Sequence, residues 1–129
     1  MKKVYTILML VVASVSAALA QAPQQLNYQA VVRNAAGQPV ANSTPVKLRF
    51  TIHDGSPTGT PVYSETINAL ANQFGLVNVQ IGSVSNLSTV NWGSGAKYLQ
   101  VETDVNNTST FTDMGSVGIS FVVTSLSVK

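Results

Sequence analysis

The 129-residue chain has one histidine, His53, followed by Asp54 and with Ser56 and Ser64 a few positions on. A Ser-His-Asp relay needs an imidazole to take the serine proton and a carboxylate to orient the ring. The residue types are present, but neither serine sits in a strained Gly-x-Ser-x-Gly elbow between a strand and a helix. His53 instead ends a strand face beside a turn, and we read it as a solvated histidine. One histidine with no cysteine also falls short of a usual zinc ligand set.

Oxygen chemistry has a second candidate. Glu102, Asp104 and Asn106, followed by Asn107, place oxygen ligands at alternate positions running into a loop, a pattern that can hold Ca²⁺. The loop lacks the glycine and terminal glutamate of an EF-hand, and Asx-rich turns also form without metal. Glu102 and Asp113 can be set against each other as a glycosidase pair, or read as two solvated acids at strand ends. Trp92 and Tyr98, with Tyr63 and Tyr28, are the aromatics available for stacking on a sugar ring. Their alternative role is to fill or seal a β core. Arg33, Lys47 and Arg49 are too few for a phosphate groove and suit a solvated face. Asn42, Asn86, Asn106 and Asn107 open N-glycosylation sequons, which marks their segments as exposed loops. No catalytic residue and no cofactor is assigned from these patterns.

The elements that position these residues follow from the rest of the chain. Lys2 and Lys3, an apolar stretch from Val4 to Val12 and the small residues ending in Ala18-Leu19-Ala20 have the layout of a secretory signal peptide cut before Gln21. Residues 1–20 are therefore expected to leave, and 21–129 to form one domain. The net charge of +2 then disappears: five cations remain against five anions. That balance removes the argument for nucleic-acid binding, and no second apolar run is long enough for stable membrane insertion. Cysteine is absent and 9% of residues are charged, so an exported chain of this kind must be held by its core rather than by disulfides.

Pro45 to His53 is the clearest strand. Val46, Leu48, Phe50 and Ile52 alternate with Lys47, Arg49, Thr51 and His53, a strict period of two. Burying the four apolar side chains contributes at most roughly 6–12 kcal/mol. Further strands are predicted at 26–33, 61–68, 76–81, 96–103, 111–114 and 117–128. Turns are expected at 34–39, 54–61, 72–75 and 104–110, with one helical turn in 86–95 whose Trp92 covers an end of the core. About seven short strands with these spacings predict an all-β antiparallel sandwich, immunoglobulin-like or transthyretin-like.

The order of blocks carries a resemblance. Leu26-Asn27-Tyr28-Gln29-Ala30-Val31-Val32-Arg33 precedes Gly37-Gln38-Pro39-Val40, then Gly59-Thr60-Pro61-Val62-Tyr63-Ser64-Glu65-Thr66. Phe74 to Gly82, Val90-Asn91-Trp92-Gly93-Ser94-Gly95 and Tyr98 to Glu102 follow. This resembles the N-terminal β domain of secreted proteins of Bacteroidota, found ahead of tail-fibre-like, collagen-like or other surface modules. The resemblance implies a secreted or cell-surface, non-enzymatic presenting module, with Tyr28, Arg33, Tyr63, Glu65, Trp92 and Glu102 as fold determinants. It also implies a downstream module and a closing Ser-Val-Pro-Tyr type segment. Here the sequence ends at Lys129 and reads Ser120-Phe121-Val122-Val123, without the proline.

The expected function is therefore an exported structural or interaction module, acting through loops or through edge-strand pairing with a protein partner or another copy. Val117 to Val128 is the candidate docking strand, or else the strand that completes its own sandwich. A glycan- or Ca²⁺-binding module is the competing class and a small secreted hydrolase a third.

Overall fold

A computed structural model describes residues 24–119. Six strands are present: β1 (Leu26–Val31), β2 (Pro45–Asp54), β3 (Thr60–Leu70), β4 (Leu76–Ile81), β5 (Lys97–Val105) and β6 (Thr112–Ile119), with a short 3₁₀ turn at Leu87–Thr89 before β5. All pairings are antiparallel. β1 and β4 make a two-stranded sheet, and β3-β2-β5-β6 a four-stranded one. The two sheets face each other, as the alternation in the sequence requires. The expected signal peptide and most of the expected 117–128 strand lie outside the described residues. Among those described, no helix is long and apolar enough to cross a membrane.

β2 is the centre of the larger sheet. Its four apolar residues all point inward, with Leu48, Phe50 and Ile52 fully buried and Val46 nearly so. Val77, Val79 and Ile81 of β4 form the opposing layer, and Leu87 of the 3₁₀ turn closes one end. Tyr28 of β1 meets Phe50 edge-on, with ring centroids 5.0 Å apart at 73°. Such a pair adds about 0.5–1.5 kcal/mol beyond the area it buries. Trp92 packs against the same core and its indole N–H donates to the Leu87 carbonyl at 3.3 Å.

On β3 the inward residues are Tyr63, Glu65 and Ile67, while Val62 points out. Two local expectations need correction. Asp104 and Val105 belong to β5 rather than to a loop. The segments at 111–114 and from 117 onward are one strand, β6, and not two. They read as separate because a β-bulge interrupts the alternation: Gln100 pairs with Ser116 and Glu102 with Asp113, so Met114 and Gly115 together face Val101. Gly115 takes φ +106°, a conformation that costs a side-chain-bearing residue energy, and its N–H bonds to the Asp113 carboxylate at 2.8 Å.

The smaller sheet covers only part of the larger one. β4 packs against β3, and β1 lies over β2 through the Tyr28–Phe50 contact. Among the described residues nothing covers the inward side of β6, and Met114 and Val117 are more than half exposed.

Candidate functional site

The outward face of the four-stranded sheet collects most of the chemistry-bearing residues. Antiparallel register sets His53 opposite Tyr98, Thr51 opposite Gln100, Arg49 opposite Glu102 and Lys47 opposite Asp104. His53, Arg49, Glu102 and Asp104 each already have hydrogen-bond partners within the fold.

Arg49 grips Glu102 with two bonds, Nε to Oε2 at 2.6 Å and Nη2 to Oε1 at 2.8 Å, and stacks over the Phe111 ring at 4.0 Å. The Arg49 hydrogen bonds hold the Glu102 carboxyl below its ordinary range, against partial burial and the charge of Asp113. Asp113 does stand directly across from Glu102. Glycoside hydrolysis needs one carboxyl kept protonated as the acid. Neither the bidentate guanidinium nor its effect on Glu102 supplies that.

His53 is not a free surface ring. Nδ1 lies 2.8 Å from the Gly59 carbonyl oxygen, and Nε2 lies 2.8 Å from Gln100 Oε1. Two acceptors favour the doubly protonated ring, so the Gly59 carbonyl first, then Gln100, push its pKa up, while desolvation opposes them. The ring clips the β2–β3 loop to β5. Its contribution is fully present below the ordinary histidine pKa of 6.5 and is lost as pH rises through the elevated folded value. Melting curves from pH 5 to 9 should show this: the wild type loses stability relative to His53→Ala as pH increases, by about 1 kcal/mol or less for so solvated a group. A pH-independent difference would contradict the clip.

Asp104 is buried and also committed. Its Oδ1 accepts from Thr108 N at 2.8 Å and Thr108 Oγ1 at 2.7 Å, and Oδ2 accepts from Ser109 N at 2.9 Å. The Thr108 hydroxyl leads in holding this carboxyl below its usual range; burial opposes it. Asn106 takes φ +65° in the same loop. The carboxylate thus caps a loop by itself, and no group of three metal-ligating side chains occurs among the described residues.

The buried carboxylate of Glu65, a fold determinant by the resemblance alone, accepts four hydrogen bonds. It is 3% exposed and points inward from an edge strand. Oε2 accepts from the Tyr63 hydroxyl at 2.9 Å and Gly82 N at 2.8 Å. Oε1 accepts from Val84 N at 2.6 Å and Ser85 N at 3.1 Å. Burial pushes the Glu65 carboxyl up, but these donors together outweigh it and hold the group below its ordinary value. Burial and the adjacent carboxylate push Tyr63 well above its ordinary range. Gly82 makes the approach possible: a Cβ there would sit 2.5 Å from the Gln24 carbonyl oxygen, and its φ is +99°.

The remaining loops are locked in the same manner. Lys97, 4% exposed, bonds through Nζ to Asp54 at 2.8 Å and to the Ser94 carbonyl. Asn34 and Asn72 close two related turns, Asn34-Ala35-Ala36-Gly37 and Asn72-Gln73-Phe74-Gly75. In each the side-chain oxygen takes two backbone N–H groups and the glycine N–H bonds back to the asparagine carbonyl at 2.9 Å.

The aromatic candidates are placed on different surfaces. Tyr98 is half-buried on the outward face of β5, whereas Trp92 packs against the core. Arg33 stands apart from Lys47 and Arg49, at the end of the smaller sheet, where it bridges to Pro39. There it lines a groove of about 470 Å³ with Thr103, Thr108, Thr110, Thr112 and Met114, under the open inward side of β6. Asn42, Asn86, Asn106 and Asn107 are all exposed, as their sequons require.

No curated protein and no solved structure matches the chain. Residues 27–114 match the model of a domain of unknown function, DUF8740. That span runs from β1 into β6 and takes in every locked loop described above. It covers about two thirds of the sequence, and the chain belongs to the DUF8740 family.

Proposed function

We propose that this chain is an exported, non-enzymatic interaction module, a rigid β-sandwich that engages a partner through the edge and inward face of β6. The carrying observation is the contrast between committed and uncommitted surface. Glu65, Lys97, Asp104, Glu102 and His53 all bond to neighbouring loops or strands. β6 is exposed over seven of its eight residues and, among the described residues, pairs with β5 alone. Locked loops keep the ordering cost of binding low, and an open strand offers unpaired backbone groups to a partner. The leader-like residues 1–20 supply the export half of the reading. The likeness to secreted Bacteroidota modules agrees with a place at the cell surface, ahead of a fibre-like or collagen-like continuation.

A photo-crosslinking residue placed at Val117, in cells making the full chain, tests this. Adducts of defined mass are expected from Val117 and not from an equivalent placement at Val84, which is as exposed but lies off β6. The protein should be recovered outside the cytosol with Gln21 at its N-terminus. No adduct at Val117, or intact cytosolic protein beginning at Met1, overturns the reading.

The threonine-lined groove at Arg33 favours a second reading, glycan binding, since hydroxyls and one guanidinium suit a sugar acid. Glycan-array binding that is lost in Arg33→Ala would support it. An array without signal would remove it.

A further inference from the structure

The two edges of the four-stranded sheet are treated differently. β3 carries Pro61, turns the Glu65 charge inward and packs against β4, all of which discourage pairing with another chain. β6 has one charged residue, Asp113, and no proline. Its inward side presents Met114 at 56% and Val117 at 60% exposure.

The register of β6 adds a second observation. Val117 lies opposite buried Leu99 and Thr112 opposite buried Thr103, so both point inward. Ile119 packs against the core and Met114 lines the inward groove. In a regular strand, residues 114 and 117 would point to opposite faces. The extra residue at the Met114–Gly115 bulge cancels one alternation, so Thr112, Met114, Val117 and Ile119 share a face.

We infer that β6 pairs antiparallel with β6 of a second copy about a two-fold axis, joining two four-stranded sheets into one of eight. Full overlap of Thr112–Ile119 with itself sets Met114 against Val117 of the second copy, Thr112 against Ile119 and Asp113 against Gly118. Every inward residue then meets an inward residue, and the only charge meets a glycine rather than its own copy. Without the bulge, the same overlap would oppose inward and outward side chains along the strand. The two-fold arrangement is self-complementary, as an isologous interface must be. An eight-residue ladder with four apolar side chains at its heart is small, so the dimer is weak and concentration-dependent.

This inference rests on β6 being the interaction surface and names a second copy as its partner. Sedimentation equilibrium on protein purified after expression of the full chain tests it. Wild type should show a monomer–dimer equilibrium. Met114→Glu and Val117→Lys, both at exposed positions, should each keep the wild-type circular-dichroism spectrum and weaken association by more than about tenfold, because each sets a charge against an apolar side chain. An equimolar mixture of the two variants should dimerise again, since Glu at 114 faces Lys at 117 only in this register.

A wild type that stays monomeric at hundreds of micromolar overturns the inference, as does a mixture that does not recover. So does a monomer that begins to dimerise once residues 120–129 are deleted, which would make those residues the natural cover of β6. The interaction reading itself falls separately, when the Val117 crosslinker captures nothing. Crosslinks to a different protein with a monomeric wild type sink the self-pairing alone.

Discussion

Replacing Glu65 with alanine is expected to destabilise the domain by about 3–5 kcal/mol, the range for breaking a buried charged network by removing one member. Three backbone N–H groups, from Gly82, Val84 and Ser85, and the Tyr63 hydroxyl lose their acceptor together. Each orphaned donor costs about 1–3 kcal/mol when water cannot reach it, and the 82–85 loop recovers part of that by opening. For a domain of this size each kcal/mol moves the melting temperature by roughly 4–8 °C. A fall of more than about 12 °C should therefore be seen by thermal circular dichroism. Glu65→Gln keeps the shape and one acceptor oxygen but turns an N–H₂ toward a donor, and is expected to cost about half as much.

The pH dependence of this loss has a definite sign. The folded Glu65 pKa lies below its unfolded value of 4.5, so the unfolded state binds the proton more readily. Its stabilisation is complete above pH 4.5 and declines as pH falls through the folded value. The difference between wild type and Glu65→Gln should shrink on acidification below that point. A difference under 1 kcal/mol at pH 7, or one that grows toward pH 3, would show that the carboxylate does not anchor the loop.

Phe50→Ala is the second large effect, also about 3–5 kcal/mol. Phe50 is fully buried at the middle of β2, the strand that pairs with both β3 and β5. Its ring spans to Tyr28 of the smaller sheet, so the cavity opens between the layers and not within one. Relaxation is limited because β2 is held on both sides. Urea unfolding of Phe50→Ala, Tyr28→Leu and the double variant should give a coupling of about 0.5–1.5 kcal/mol, the worth of the edge-on ring pair. Additive losses would place the two rings in separate packing environments.

These two results bear on function. A domain of this length is stabilised by only about 5–15 kcal/mol, so losing either feature leaves little margin. Glu65, Asp104, Lys97, Asn34 and Asn72 each bind a loop to the sandwich from within. Such anchoring is what the proposed interaction module calls for, since a surface held from within keeps its shape when a partner docks.

How far the fold could be read from residues depended on periodicity. The alternation in β2 and β4 located both strands to within a residue, because one face of each is buried and the other wet. The polarity pattern divides β6 in two because Gly115 breaks the alternation, and a bulge looks the same as a chain break when only side-chain polarity is visible. Val117 points inward, opposite buried Leu99, yet it stays exposed because the two-stranded sheet does not reach it.

The candidate site was less legible. Glu102, Asp104 and Asn106 are spaced like oxygen ligands, but spacing along a strand does not show which oxygens are already taken. Arg49 lies 53 positions from Glu102, and only the β2–β5 register brings them together. Glu65 had one local sign, a carboxylate at an inward position between Tyr63 and Ile67. Its three backbone donors come from a loop 17–20 residues away, which composition cannot reveal.

The amino-acid order alone determined that this is a two-layer antiparallel β protein, and which side chains of β2 and β4 make its core. A period of two is a local property, and burial follows it wherever a second layer exists. Tertiary structure decided which polar groups are consumed and which strand is left open. Those outcomes depend on how far the smaller sheet extends and on which distant backbone donors arrive at each carboxylate, and neither is encoded within any single segment.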